Sequence, residues 1–238
     1  MNYTWATATH VGHLREVNED SVVPGSDGAG PGPIVIAVAD GMGGAAAGEV
    51  ASRLAIEAAV AGPAGDTDVA RRIHDGNRAV LDAVATHPEM AGMGTTITLG
   101  VFDAGGVLHL GHVGDSRAYL LRDGDLSQIT SDHTYVMELV ARGQLSAEAA
   151  ATHPRRHLIT RVVGMEGIEP DASTLFLEPG DRVMMCSDGL TEMVGDAEIA
   201  DVLVREPRPS GAAWALVEAA NAAGGVDNTT VAVVDAAL

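Results

Sequence analysis

Acids recur in this chain where hydrophobic runs break off. "VIAVAD" ends on Asp40, and four of the next eight residues, up to Gly48, are glycine. "VMMCSDG" repeats the pattern with Asp188 and Gly189, and "HVGDS" sets Asp115 in a turn between two apolar segments. "GGVDNTT" places Asp227 and Asn228 before the last apolar run, and "VNED" brings Glu19 and Asp20 near the start. Any one of these alone reads as an ordinary turn or capping acid. As a set they are harder to dismiss, because acids at the ends of several buried strands can converge at one edge. Two full charges about 4 Å apart at an effective dielectric near 20 repel by about 4 kcal/mol. Such a group must be protonated or be neutralised by cations. Oxygen donors without His or Cys suit hard ions, Mg²⁺ or Mn²⁺. Gly41 has no side chain to keep its carbonyl from such an ion. Two hard cations bridged by a shared carboxylate and a water form an apparatus for phosphoryl transfer. Arg15, four residues before Glu19, offers the donor fork that grips a phosphate.

Positioning these groups requires a framework of strands. "YTWATATH" alternates as a strand does, "PGSDGAGPGP" (24–33) reads as a loop, and "IVIAVAD" reads as a strand buried on both faces. Two helices follow. In the first, Val50, Leu54 and Ala58 recur one turn apart, and in the second Val69, Ile73, Val80, Leu81 and Val84 share a face, with Thr67 or Asp68 as its cap. "TTITLGVFD", "VLHLGHVG", "SRAYLLRDG" and "LSQIT" read as an antiparallel meander. The segment 132–164 is polar and helical, with Ser146 as an N-cap. Two strands come next, "STLFLEP" and "DRVMMCSDG". A helical pair over 196–223 is expected to turn Trp214 and Val217 inward, and "NTTVAVVD" closes the chain as a strand. Strands early, in the middle and late, with helices between them, point to an α+β fold of antiparallel layers covered by helices, in one domain spanning 1–238.

Composition narrows the function. Lys and Arg total 14 against 33 Asp and Glu, a formal net charge of -19, which argues against a binder of nucleic-acid backbone. The single cysteine, Cys186, rules out an internal disulfide framework and a thiolate metal cage. No apolar stretch is long enough to span a bilayer and no signal peptide is visible, so a cytoplasmic domain is expected, native or cut from a membrane-anchored protein. "GMGG" lacks both the Walker lysine and the dinucleotide fingerprint.

In order along the chain, "GHLREVNEDS", "VADGMGGAAAGEVAS", "GMGTTITLGVF", "LGHVGDSRAYLLRDG", "SDHTYVMELVARGQLS", "CSDGLTEMV" and "VDNTTVAVV" resemble the metal-dependent protein phosphatases of the protein phosphatase 2C type. The resemblance is closest to bacterial Ser/Thr phosphatases that oppose membrane Ser/Thr kinases. It implies a sandwich of two antiparallel sheets flanked by helix pairs, with 132–164 as a helical flap. It implies hydrolysis of phosphoserine and phosphothreonine in protein partners, by direct attack of a metal-bridging hydroxide in a monomeric enzyme. Under the resemblance Asp40 bridges two metals and Gly41 lends its carbonyl. Asp188 and Asp227 complete one metal's protein ligands, and Glu19 and Asp20 act through metal-bound water. Asp115 with Asp188 holds a third, weaker metal, and Arg15 holds the substrate phosphate. Met42 stands where many eukaryotic relatives carry a His, leaving the general acid to metal-bound water or to an exposed His133 in the flap. His10 stands where bacterial relatives carry Asp. A binding module without catalysis would have lost metal acids, and none is lost here. A phosphatase of an anti-sigma antagonist is usually fused to a sensor module, and none is visible.

Overall fold

The computed structural model describes residues 1–43 and 47–238; residues 44–46, inside the glycine-rich segment after Asp40, lie outside the described residues. The chain forms β1 (Asn2–His10), β2 (Asp20–Val23), β3 (Gly28–Pro31), β4 (Ile34–Met42), α1 (Ala47–Val60), α2 (Val69–Thr86), β5 (Gly94–Thr95), β6 (Ile97–Phe102), β7 (Val107–Val113), β8 (Arg117–Arg122) and β9 (Asp125–Gln128). It continues as α3 (Tyr135–Ala141), α4 (Ala147–Ala151), β10 (Asp171–Phe176), β11 (Arg182–Cys186), α5 (Asp188–Thr191), α6 (Asp196–Arg205), α7 (Pro209–Ala222) and β12 (Thr229–Ala237).

Two antiparallel sheets stack face to face. One runs β3-β1-β12-β11-β8-β9 and the other β10-β7-β6-β4-β2, with β5 paired to β4. Alternate residues of β4 show why its sequence is apolar throughout. Ile36 and Val38 enter the core between the sheets, whereas Ala37 and Ala39 enter the core under α1 and α2. In β11, Val183 and Met185 face the sandwich interior while Met184 and Cys186 face the layer that holds Leu190, Ile199 and Leu216. A strand with helices on one face and a sheet on the other has no solvent side, so its period-2 polarity disappears.

Several expectations are corrected. The segment 24–33 is not all loop, since β3 pairs Gly28–Pro31 with β1. In α1 the buried stripe is Ala51, Ala55 and Ala59 with Ser52 and Ile56, while Val50, Leu54 and Ala58 are only partly buried. At Ala55 the two helices approach closely: a Cβ on Gly76 of α2 would lie 2.7 Å from the Ala55 carbonyl oxygen. Asp68 caps α2 by accepting from the Arg71 N–H, and Val69, Ile73 and Val80 are buried, with Leu81 and Val84 at the flank. Ser146 caps α4 as expected. Trp214 is 48% exposed, because α7 buries Ala212, Ala213, Leu216, Val217 and Ala220, a stripe that excludes it. The meander is two hairpins in different sheets. β6 pairs with β7, β8 pairs with β9, and the chain changes sheets between Val113 and Arg117. Asp115 therefore sits at a sheet crossover and not in a hairpin loop.

Candidate active site

Asp20 and Asp40 face each other across the antiparallel register of β2 and β4. The Asp40 N–H donates to Thr96 Oγ1 at 2.9 Å, and its carbonyl accepts from Thr96 N–H at 2.9 Å and from Thr95 Oγ1 at 2.8 Å. Thr96 Oγ1 also lies 2.7 Å from Ser116 Oγ, next to Asp115. Asp20 reaches the other sheet: its Oδ2 accepts from Ser187 Oγ at 2.7 Å, and that hydroxyl accepts from Thr230 N–H at 3.0 Å. Asp188 follows Ser187 directly and opens α5.

Asn228 organises the loop that carries Arg15 and Glu19. Its Oδ1 accepts from Glu19 N–H at 2.7 Å, and its Nδ2 donates to the Val11 and Val17 carbonyls at 2.9 and 3.0 Å. The neighbouring Asp227 accepts from Asn228 N–H at 2.8 Å and pairs with Arg15 at 2.7 Å. Arg15 is half-exposed at this rim. Gly41 donates its N–H to the Glu19 carbonyl at 3.1 Å, and a Cβ on it would sit 2.1 Å from the Gly48 carbonyl oxygen. The glycine is required by backbone packing against α1, a reason the sequence does not display.

The acids are electrostatically linked. Burial first, then the Asp188 and Asp227 charges, push Asp20 up to about 7 against hydrogen bonds from Thr230 and Ser187. Burial, then the charges of Asp20 and Asp188, hold Asp40 well above the usual carboxylate range. Asp115 is pushed to about 8 by burial and by Asp188 and Asp132. Asp188 is raised to about 6 by burial, an effect eased by its hydrogen bond with Asp40. These sequence-predicted acids therefore gather at one end of the sandwich, supplied by both sheets and the crossover between them.

Two observations fit a hard cation here. Among the described residues Asp20 Oδ1 is buried without a hydrogen-bond partner, which is costly for a carboxylate oxygen unless something else satisfies it. The group offers only oxygen donors, the choice of Mg²⁺-class ions. Among the described residues, no three His, Cys, Asp or Glu side chains close on one point by themselves. An ion here would take carboxylate, the Gly41 carbonyl and water together, as hard ions that keep part of their hydration shell do.

Beside the acids lies a cleft of about 840 Å³, lined by Met137 of α3 and Ala150 of α4 on one side and by Asp115, Asp188 and Glu192. The segment 132–164 is anchored where it leaves the sheet. Arg117 grips Asp132 through Nε and NH2 at 2.7–3.1 Å. Across the cleft, His157 pairs with Glu192.

His133 is buried, 2% exposed, with Nδ1 accepting from Gly114 N–H at 3.1 Å. The expectation of an exposed flap histidine is corrected, and with it the candidacy of His133 as a proton donor. His10 acquires a role: its Nδ1 accepts from Gly12 N–H at 2.9 Å. An Asp makes the same bond two residues on in an Asx-turn, so either residue serves that position. Sequence reasoning passed over Ser187, Thr96 and Asn228 as supports. Their signal was available, as short polar residues beside the acids in "CSDG", "TT" and "VDN".

Comparison with known proteins bears on this geometry. The chain is 43% identical over 238 residues to the serine/threonine protein phosphatase PstP of Mycobacterium tuberculosis, covering 97% of this chain and 44% of that protein. It thus spans less than half the length of that relative. With the serine/threonine phosphatase stp of Listeria welshimeri it shares 36% identity, covering 95% of this chain and 93% of that one. The crystal structure of the PstP catalytic domain in complex with 2 manganese ions superposes with a TM-score of 0.87 at 41% identity, covering all of both chains. The family model for protein phosphatase 2C matches residues 12–215, and with the two-sheet, helix-flanked architecture described above, the chain belongs to the protein phosphatase 2C family.

Proposed function

We propose that this chain is a metal-dependent protein serine/threonine phosphatase, one catalytic domain with the flap at 132–164, acting on proteins phosphorylated by Ser/Thr kinases. The observation that carries this reading is the convergence of Asp20, Asp40, Asp115 and Asp188, buried and mutually raised, beside an unsatisfied Asp20 oxygen. Mn²⁺ or Mg²⁺ bound there would supply activated water at neutral pH and would neutralise charge on the phosphate. Asp40 would hold both core ions, the Gly41 carbonyl would be a further donor, and Asp188 and Asp227 would complete the protein ligands of one of them. Glu19 and Asp20 are assigned to water around the pair, and Asp115 with Asp188 to a third, weaker ion.

The chain's own residues do the positioning. Ser187 and Thr96 hold Asp20 and Asp40 in register from opposite sheets. Arg15 presents its guanidinium at the rim, and its pair with Asp227 is exposed. Exposed pairs are worth only about 0–1 kcal/mol, so a phosphate dianion can draw Arg15 across at little cost. The cleft under the flap leaves room for the peptide on either side of the phosphorylated residue. The named relatives are serine/threonine phosphatases, which does not favour the anti-sigma-antagonist or non-catalytic readings. The test is release of phosphate from phosphoserine and phosphothreonine peptides with Mn²⁺ and in excess EDTA. Full turnover in EDTA would sink the assignment.

A further inference from the structure

His133 is the first flap residue after the anchored Asp132, and it touches both ends of the flap as well as the crossover between the sheets. Its Nδ1 accepts from Gly114 N–H at 3.1 Å, and its own N–H donates to the Gly114 carbonyl at 2.7 Å. One residue thus holds both polar groups of Gly114. That glycine has φ +111, and a Cβ on it would lie 2.5 Å from the Thr96 side chain, so its shape is enforced from both sides. The next residue is Asp115. On its far side, the His133 carbonyl accepts from Thr160 N–H at 2.8 Å and from Thr160 Oγ1 at 3.1 Å, where the flap returns to the body. Thr134 and Ile159 form a β-bridge beside it. An acceptor at Nδ1 places the ring proton on Nε2, which faces Asp171 at 3.2 Å without hydrogen-bond alignment. Asp171 is itself held by Arg161 at 3.0 Å.

We propose that His133 is a positioning residue for Asp115: its Nδ1 fixes the Gly114–Asp115 crossover against the base of the flap, so that the carboxylate assigned to the third cation and the flap share one support. This rests on the reading of Asp115 as a cation ligand. The residue type follows from the surroundings. The turn needs a buried acceptor, and a carboxylate in that place would add one more negative charge beside Asp115, Asp132 and Asp171. Burial keeps the imidazole neutral, so it accepts without adding charge. Supporting residues that orient a metal ligand are worth about 10–100-fold in affinity when removed.

The test uses the full chain with His133→Leu, His133→Asn and His133→Gln. Asparagine carries an acceptor near the Nδ1 position, leucine none, and glutamine one placed further out. Two readouts are taken: Mn²⁺ binding by calorimetry, and exchange protection of the Gly114 amide in EDTA by NMR. Expected are a weakest Mn²⁺ class loosened about tenfold in His133→Leu, tighter classes unchanged, and a Gly114 amide that loses protection. His133→Asn should recover both. A Gly114 amide equally protected in the leucine variant, or an asparagine variant no better than leucine, overturns the proposal. Should the leucine variant not fold, the contrast between asparagine and glutamine decides in the same way. Asp115→Ala separates the underlying reading: if it keeps the weakest Mn²⁺ class, the ligand assignment of Asp115 fails, while the Gly114 amide still reports on His133.

Discussion

Removing the charge of Asp40 or Asp188 acts on two quantities in opposite directions. Asp40→Asn and Asp188→Asn should each cut turnover more than about 100-fold, beyond the range for residues that merely support a metal ligand. In EDTA their folding stability should hold or rise, because each lost charge relieves repulsion within the cluster. Phosphopeptide kinetics at saturating Mn²⁺ and urea midpoints in EDTA check both halves. A near-normal rate in either variant would show that the ligand assignment is wrong. Arg15→Ala isolates the phosphate contact. A charge-assisted hydrogen bond is worth about 1.5–3 kcal/mol, so KM should rise at least about tenfold, and kcat should change less if the contact is equal in ground and transition states. An unchanged KM, with unchanged inhibition by free phosphate, would remove Arg15 from substrate binding. The site acids were legible because acids that interrupt apolar runs stand out against them. Ser187, Thr96 and Asn228 were not, because a short polar residue beside an acid looks like any turn until its partner across the sheets is known.

At the scale of elements, close backbone approach decides what the sequence hides. A Cβ at Gly41 meets the Gly48 carbonyl oxygen at 2.1 Å and the Glu19 carbonyl oxygen at 2.6 Å. Gly41→Ala should therefore cost about 1–3 kcal/mol, the usual range for overpacking, and should weaken Mn²⁺ binding by moving β4 away from Glu19. Urea denaturation in EDTA and a Mn²⁺ titration measure the two effects separately. A variant as stable as wild type would mean that α1 and β4 part without cost. The doubly buried β4, the capped α2 and the capped α4 were readable from composition and spacing. The small-residue stripe of α1 was not, because the close approach at Ala55 comes from Gly76 on another helix. The crossover at Asp115 was missed for a similar reason. Local turn chemistry is the same whether a chain folds back within one sheet or steps to the next.

At the scale of the whole molecule, His112 is an acid-side liability outside the acid cluster. It is buried against His133, with ring centroids 4.9 Å apart, lies 3.0 Å from Thr98 Oγ1, and feels Asp132 and Asp171. Burial above all, and repulsion from His133 only when that ring is itself protonated, lower it from 6.5 to about 4, against the opposing pull of the two acids. The unfolded chain therefore binds a proton that the folded one refuses, and this contribution is full above pH 6.5 and lost progressively toward pH 4. His112→Asn should lack that loss, so the stability difference between the variant and wild type should move in the variant's favour across the window. Urea midpoints at both ends of it, in Mn²⁺-loaded protein, measure the change. A constant difference would show that His112 titrates normally.

The sandwich has an open end at which Asp20 and Asp40 come from one sheet and Asp188 and Asp227 from the other. The protein's own stitch across it at Asp20 runs through Ser187 Oγ. Ions shared between these acids would act as a clasp on a hinged cover, resisting any slip of one layer over the other. Loading should then raise the melting temperature by mass action, equivalent to about 2.7 kcal/mol at 100 times the dissociation constant. Amide exchange should slow at this end of both sheets together and leave the far end unchanged. Slowing confined to one sheet would mean that the clasp closes on that layer alone.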